Sequence, residues 1–191
     1  PVISKELVLA ESPRAMKQAM DGFSYAEIGR LLRLADNHVA HRFNLLGSRW
    51  TEVAHGLRCP GFEGAFYPSR VETMPMEEAL PRLSPGNQAP SLKVRELISK
   101  GYTPIDWQLD FRSGFRWRQD QWSAGIIYGQ KPGVDIKVPW ELARMQHLPL
   151  LAIATGLTEG ERRFTYQREC LDQIIDFVSA NPPGYGVNWI C

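Results

Sequence analysis

Trp140, Arg144, His147 and Leu151 recur at three- and four-residue steps, so on a helix they share one face. Glu141 neighbours Arg144 on the same element. An indole stacks on the apolar face of a sugar ring. A guanidinium grips a carboxylate or sulfate through two parallel hydrogen bonds. The other reading of this stripe is an amphipathic helix with a Glu141–Arg144 surface pair and a satisfied histidine.

A second group spans residues 102–122. Tyr102, Trp107, Phe111, Phe115, Trp117 and Trp122 alternate there with Asp106, Asp110, Arg112, Arg116, Arg118 and Asp120. The mixture suits a carbohydrate platform, with rings for stacking and charged groups for hydroxyls and acids. It equally suits a loop docked on helices by its own aromatics. Single-stranded nucleic acid would use the same rings and arginines, but the three aspartates argue against it. Asp106 and Asp110 do not make a glycosidase pair on spacing alone, because sequence separation says little about carboxylate distance.

The third group is Gly184-Tyr185-Gly186-Val187-Asn188-Trp189. Glycines let backbone approach a ligand closely, and Asn188 can donate to a carboxylate without carrying charge. The same run also reads as a loop leading into a further helix. Nucleophile-elbow, phosphate-loop, zinc-protease and dinucleotide-binding motifs are absent from the sequence.

The elements that would position these groups are mostly helical. Ser12-Pro13 starts a short helix within residues 1–23. Ser24 and Glu27 form a capping box for a long helix over 24–46, with Ile28, Leu31, Leu32, Ala35, Val39, Phe43 and Leu46 in register and Gly47 as its stop. His38 and His41 lie on it as partly exposed histidines. Residues 48–91 are rich in Pro and Gly and read as irregular, with 76–83 the best candidate for a short helix. A short helix is expected over 92–100, and a strand or extended segment over 105–111. A helix over 138–156 bends at Pro149. The last helix, 158–180, turns Phe164, Cys170 or Leu171, Ile174, Ile175 and Val178 inward. The last two form an antiparallel hairpin. The expected organisation is one domain over 1–191, with an irregular segment, 48–135, inserted between helices.

Composition narrows the classes. The 191 residues are 43% hydrophobic and 23% charged, ordinary for a soluble globular protein and incompatible with disorder as the main state. Lys and Arg number 22 against 21 Asp and Glu, for a formal net charge of +1. A nucleic-acid binder driven by bulk charge would be more basic. No apolar run approaches the roughly 18 residues of a membrane span. Cys59, Cys170 and Cys191 lack zinc-type spacing and read as free or buried thiols. No metal or cofactor is implied. The chain opens on Pro1 without a leader-like segment and ends on Asn188-Trp189-Ile190-Cys191. That apolar ending leads to the expectation of a piece of a longer protein, from the periplasm or cytoplasm of a bacterium.

Three runs carry a family resemblance. They are Tyr102-Thr103-Pro104-Ile105-Asp106-Trp107-Gln108-Leu109-Asp110-Phe111 with Ser113-Gly114-Phe115-Arg116-Trp117, then Pro132 to Leu148, then Asn181-Pro182-Pro183 to Asn188-Trp189. Phe43-Asn44-Leu45-Leu46-Gly47-Ser48 fits as well. Over roughly 35–191 the chain resembles the N-terminal region of bacterial heparinase II/III-like proteins, a polysaccharide lyase family.

The resemblance implies a mostly α fold, part of an incomplete α/α toroid built from antiparallel helical hairpins. It implies cleavage of uronate-containing glycans by β-elimination. That reaction neutralises the uronate carboxylate, removes the adjacent C5 proton and protonates the departing C4 oxygen. On this likeness Asn188 is the candidate carboxylate neutraliser. Trp140, Glu141, Arg144, His147, Trp107, Asp110 and Trp189 are candidate substrate-binding residues. The family's catalytic Tyr and further His follow the position of Asn188-Trp189, so this chain alone is expected to lack lyase activity. Its expected partners are an acidic polysaccharide, further domains of the same protein, and copies of itself through exposed apolar helix faces. Two other readings remain: a non-catalytic glycan-binding or surface-polysaccharide-processing protein, and a helical-hairpin interaction module.

Overall fold

The computed structural model describes residues 22–68 and 82–190. The helix expected within 1–23 lies almost wholly outside them, as does most of the 76–83 candidate and Cys191. Among the described residues the chain is mostly helical, and its paired strands are two residues long. Its contacts divide it into two compact units.

The first unit holds residues 22–40 and 146–171 among those described. Helix α1 (Tyr25–Val39) starts where the capping box places it. Glu27 N–H donates to Ser24 Oγ at 3.3 Å, and Ser24 N–H donates back to the Glu27 carboxylate at 2.8 Å. The helix ends at Val39, seven residues before the expected Leu46. Phe43 and Leu46 continue the spacing, but Phe43 is buried in the core of the other unit. Ala35, Leu151, Ala154 and Tyr166 form the first unit's own core. The Tyr166 hydroxyl donates to Asp36 and accepts from Arg162 Nε at 2.9 Å. Burial and the Asp36 carboxylate push this phenol up to about 12. His38 is buried rather than partly exposed, with its ring 5.0 Å from that of His147.

The expected 138–156 helix is two helices, α3 (Lys137–Ala143) and α4 (Leu148–Leu157). The break has a local cause. Pro149 sits in the first turn of α4, has no N–H, and its ring would clash with the carbonyl four residues back. That residue is Met145, whose φ is +52°. Proline therefore starts a helix here rather than bending one.

Helix α5 (Gly160–Ala180) starts two residues after the expected 158 and runs unbroken to the expected 180. Its inward face differs from expectation. Phe164 and Val178 are 67% and 52% exposed, and Ile174 is also exposed. Asp172, Gln173, Asp176 and Ser179 are buried instead. Asp172, Asp176 and Ser179 lie four and three residues apart with Gln173 beside Asp172, so the polar stripe has the same helical period as the apolar one.

The second unit holds residues 41–68, 82–145 and 172–190 among those described. Strands β1 (Arg42–Phe43) and β2 (Thr51–Glu52) pair antiparallel, with Phe43 opposite Thr51. Helix α2 spans Pro85–Arg95, earlier than the expected 92–100. Ser84-Pro85 supplies its start, since proline's fixed φ suits the first helical position. Pro90 lies inside it, and the residue four back is Gly86. The 105–111 segment is no strand: Ile105 to Phe111 are all buried, so neither face meets solvent. One bridge, Leu109 to Arg116, folds it back on itself. Its apolar side chains join Phe43, Val53, Val138 and Leu142 in the main core. A second cluster gathers Trp117, Ile126, Ile136 and Val187, with Phe115, Val134 and Trp140 packed against it.

Several polar groups buried in this unit are bonded to one another. Asp176 accepts from Ile105 N–H and Trp107 Nε1, each at 2.9 Å. Gln108 Nε2 donates to Asn181 Oδ1 at 2.7 Å, and Val187 N–H donates to Gln108 Oε1 at 2.8 Å. These bonds tie α5, the 105–111 segment and the last loop together. No described helix is long and apolar enough to cross a membrane.

Candidate functional site

The eight candidate site residues fall into different environments. Trp107 is 1% exposed, its indole N–H held by Asp176. It is a core ring with no face for a sugar. Asp110 is fully buried and accepts from Arg112 N–H at 3.0 Å, Asp135 N–H at 3.0 Å and the Ser113 hydroxyl. Its carboxylate ties the loop after Phe111 to the start of α3. Asn188 Nδ2 donates to Trp107 O at 2.9 Å and to Asn181 Oδ1 at 2.8 Å. Both hydrogens that a carboxylate would need are thus engaged, while the buried Oδ1 accepts no bond.

Trp140, Glu141 and Arg144 lie on or beside α3. Trp140 Nε1 donates to Val187 O at 2.8 Å, and its ring meets Tyr128 edge-on at 6.1 Å. Arg144 pairs with Glu141 at 2.7 Å. Arg144 is exposed and Glu141 partly so, and a pair so open to water contributes little stability. Trp189 is an exposed ring whose Nε1 donates to Asn181 O at 3.1 Å. The expected stripe does not share one helix, because α3 ends at Ala143 and His147 belongs to the first unit. The structure thus joins Trp140, Asn188 and Trp189 through the loop after α5. It leaves Trp107 and Asp110 inside the core.

Beside Trp140 lies a pocket of about 190 Å³, lined in part by Phe115, Trp117, Ile127, Tyr128, Lys131 and Val134. Phe115, Trp117 and Tyr128 are its lining rings, and Tyr67 lies behind Phe115. Tyr67 meets Phe115 edge-on at 5.6 Å, and Phe115 meets Trp117 edge-on at 4.8 Å. Lys131 Nζ lies 5.2 Å from the Phe115 ring centre and 5.9 Å from that of Tyr67, within reach of cation–π attraction. The Tyr67 hydroxyl donates to Pro132 O at 3.0 Å and anchors the loop that carries Lys131. Sites for whole drug-sized ligands run to roughly 300–1,000 Å³. This one has the volume of a single ring-sized group. The aromatic density of 102–122 marked its wall in the sequence. Lys131 was missed, because one lysine in a Gly- and Pro-containing loop carries no spacing signal.

A buried charge cluster is the other notable feature. Arg116 Nε donates to both Asp106 oxygens, at 3.0 and 2.9 Å, and its Nη2 donates to Gln119 Oε1 at 2.8 Å. His55 Nδ1 lies 3.5 Å from the same carboxylate. Burial works to raise Asp106, but Arg116 and then His55 hold it below the usual carboxylate range. Burial lowers His55, with Asp106 opposing. The nearby Cys59 thiol is pushed up to about 11 by burial and then by Asp106 and Asp110, which leaves it a poor nucleophile. The cluster fixes the 106–119 segment rather than presenting reactive groups. Among the described residues, no group of three or more His, Cys, Asp or Glu side chains could hold a metal ion.

Comparison of the chain with family models, curated proteins and solved structures finds no match in any of the three.

Proposed function

We propose that this chain binds an acidic, uronate-containing glycan, as one wall of an α/α toroid of the polysaccharide-lyase type, and that it contributes grip rather than bond cleavage. The observation that carries this is the ring-walled pocket with Lys131 poised at its aromatic faces. A pyranose presents C–H groups to an aromatic ring and polar groups at its rim. An ammonium beside those rings meets the uronate carboxylate at the pocket's solvent-facing rim.

A second reading, a non-catalytic glycan-binding or polysaccharide-processing protein, is favoured by Asn188. Its amide hydrogens are engaged within the protein. No histidine is among the pocket-lining residues described.

The test is calorimetric titration with oligomers of galacturonate, of alginate and of glycosaminoglycan, alongside a neutral glucan oligomer. Binding of at least one acidic series over the neutral one is expected. No formation of the ultraviolet-absorbing unsaturated product is expected. Equal affinity for the neutral chain, or none for any acidic chain, would overturn the reading. Product formation by this chain would overturn the division between grip and cleavage.

A further inference from the structure

Trp122 is the most exposed tryptophan of the chain, at 57%. It is not a loose surface ring. Its backbone forms an antiparallel bridge with Tyr185. On either side of that bridge Ser123 N–H donates to Gly184 O at 2.9 Å, and Gly186 N–H donates to Gln121 O at 2.9 Å. The indole meets the Tyr185 ring edge-on at 5.4 Å. Below it lies Gly184, where a Cβ would stand 2.5 Å from Trp122 Cζ3 and 2.8 Å from Cη2. Gly184 also has φ +81°. Only glycine meets both demands, so the bare backbone serves as a seat for the indole.

A ring held from one side and open on the other is a prepared stacking surface. Fixing it in advance lowers the ordering cost of binding. Its position relates it to the Lys131 pocket. Tyr185, which holds Trp122, is two residues from Val187, whose carbonyl holds Trp140. Tyr128 of the pocket packs on Trp140. Three extended residues span at most about 10 Å. The two aromatic groups are therefore mounted on one short piece of chain.

We propose that Trp122 is a second sugar-stacking subsite, taking another ring of the same acidic glycan whose uronate sits at Lys131. The inference rests on the glycan reading of that pocket. It assigns the Gly184–Val187 loop the task of setting the interval between two sugar-binding rings. The pocket seats one ring, and a longer chain passes on to Trp122.

The experiment compares wild type, Trp122→Ala, Trp122→Tyr and Lys131→Met against uronate disaccharides and longer uronate oligomers of the same series. Trp122→Ala is expected to weaken the longer oligomers about tenfold and leave the disaccharide unchanged, with Trp122→Tyr retaining part of the affinity. Lys131→Met is expected to weaken both. Circular dichroism of each variant monitors the fold. Longer oligomers binding Trp122→Ala as tightly as wild type would overturn the subsite while the pocket reading stands. Equal loss for short and long probes in a folded Trp122→Ala would also overturn it. Wild type binding no uronate oligomer would overturn the pocket reading and the subsite with it.

Discussion

The Trp107 indole donates to the Asp176 carboxylate at 2.9 Å, with neither side chain reaching water. A carboxylate on α5 thereby holds a core ring of the 105–111 segment. Tyr102 and Ile105 donate to the same oxygen. The other oxygen lies 3.7 Å from Arg95 Nη2.

Burial raises Asp176 from the ordinary 3.8 to about 6, against the pull of Ile105, Trp107 and Arg95. The folded state therefore holds a proton that the unfolded state releases between these two values. Stability attributable to this group is full below about pH 4 and falls as pH rises through 6. Such a shift corresponds to about 3 kcal/mol. The stability of wild type relative to Asp176→Asn is expected to fall by about that amount between pH 4 and pH 7. Urea unfolding at the two pH values reads it, and a constant difference would refute the assignment.

Arg116 is the principal countercharge of the buried Asp106. Arg116→Met leaves that carboxylate without it and is expected to cost about 3–5 kcal/mol at neutral pH. Asp106 sits below its ordinary value in the folded protein, so its stabilising contribution is present above about pH 4 and lost as pH falls further. The cost of Arg116→Met should therefore shrink in acid. Chemical unfolding at neutral and acid pH measures this; a pH-independent cost would count against it.

Gly186 has φ +77°, and a Cβ there would lie 2.7 Å from Gln108 Nε2. Gln108 is fully buried and bonded to Asn181 and Val187. Gly186→Ala is expected to destabilise by about 2–4 kcal/mol, from the left-handed backbone and from broken buried bonds. A thermal midpoint within a degree or so of wild type would show that the loop adapts.

Phe62 and Ala65 bond reciprocally at 2.9 and 2.8 Å around Glu63-Gly64, both at positive φ (+48° and +78°). Tight hairpin loops of this kind favour Asn-Gly. Glu63→Asn is expected to stabilise by about 0.5–1 kcal/mol, read as a higher urea midpoint.

Lys131 is exposed, so its attraction for a carboxylate is screened by salt. Lys131→Met is expected to weaken uronate oligomer binding about tenfold at low salt and much less at high salt. Lys131→Arg keeps the charge and the contact with the rings, and should retain most of the affinity. Titration at two salt concentrations separates the three proteins; salt-insensitive binding would remove Lys131 from the site.

The amino-acid sequence by itself determined the local elements whose causes are local. Ser24 and Glu27 are three residues apart and cap α1 without outside help. The span of α5 follows from an unbroken helical period between Gly160 and Asn181-Pro182. Pro149 contained the break at Met145, because a proline acts on the residue four before it. Tertiary structure decided which of two competing stripes turned inward. On α5 both Phe164–Val178 and Asp172–Ser179 fit a helix face. The polar stripe was buried because the 99–107 backbone and Trp107 supplied donors for its carboxylates. The same applies to the candidate site. Trp107 and Trp122 are one residue type in one segment, yet one is enclosed by the core and the other is seated on Gly184 facing solvent. Composition marked both as rings able to stack. Only the long-range partners, Asp176 for one and Gly184-Tyr185 for the other, determined which could meet a ligand.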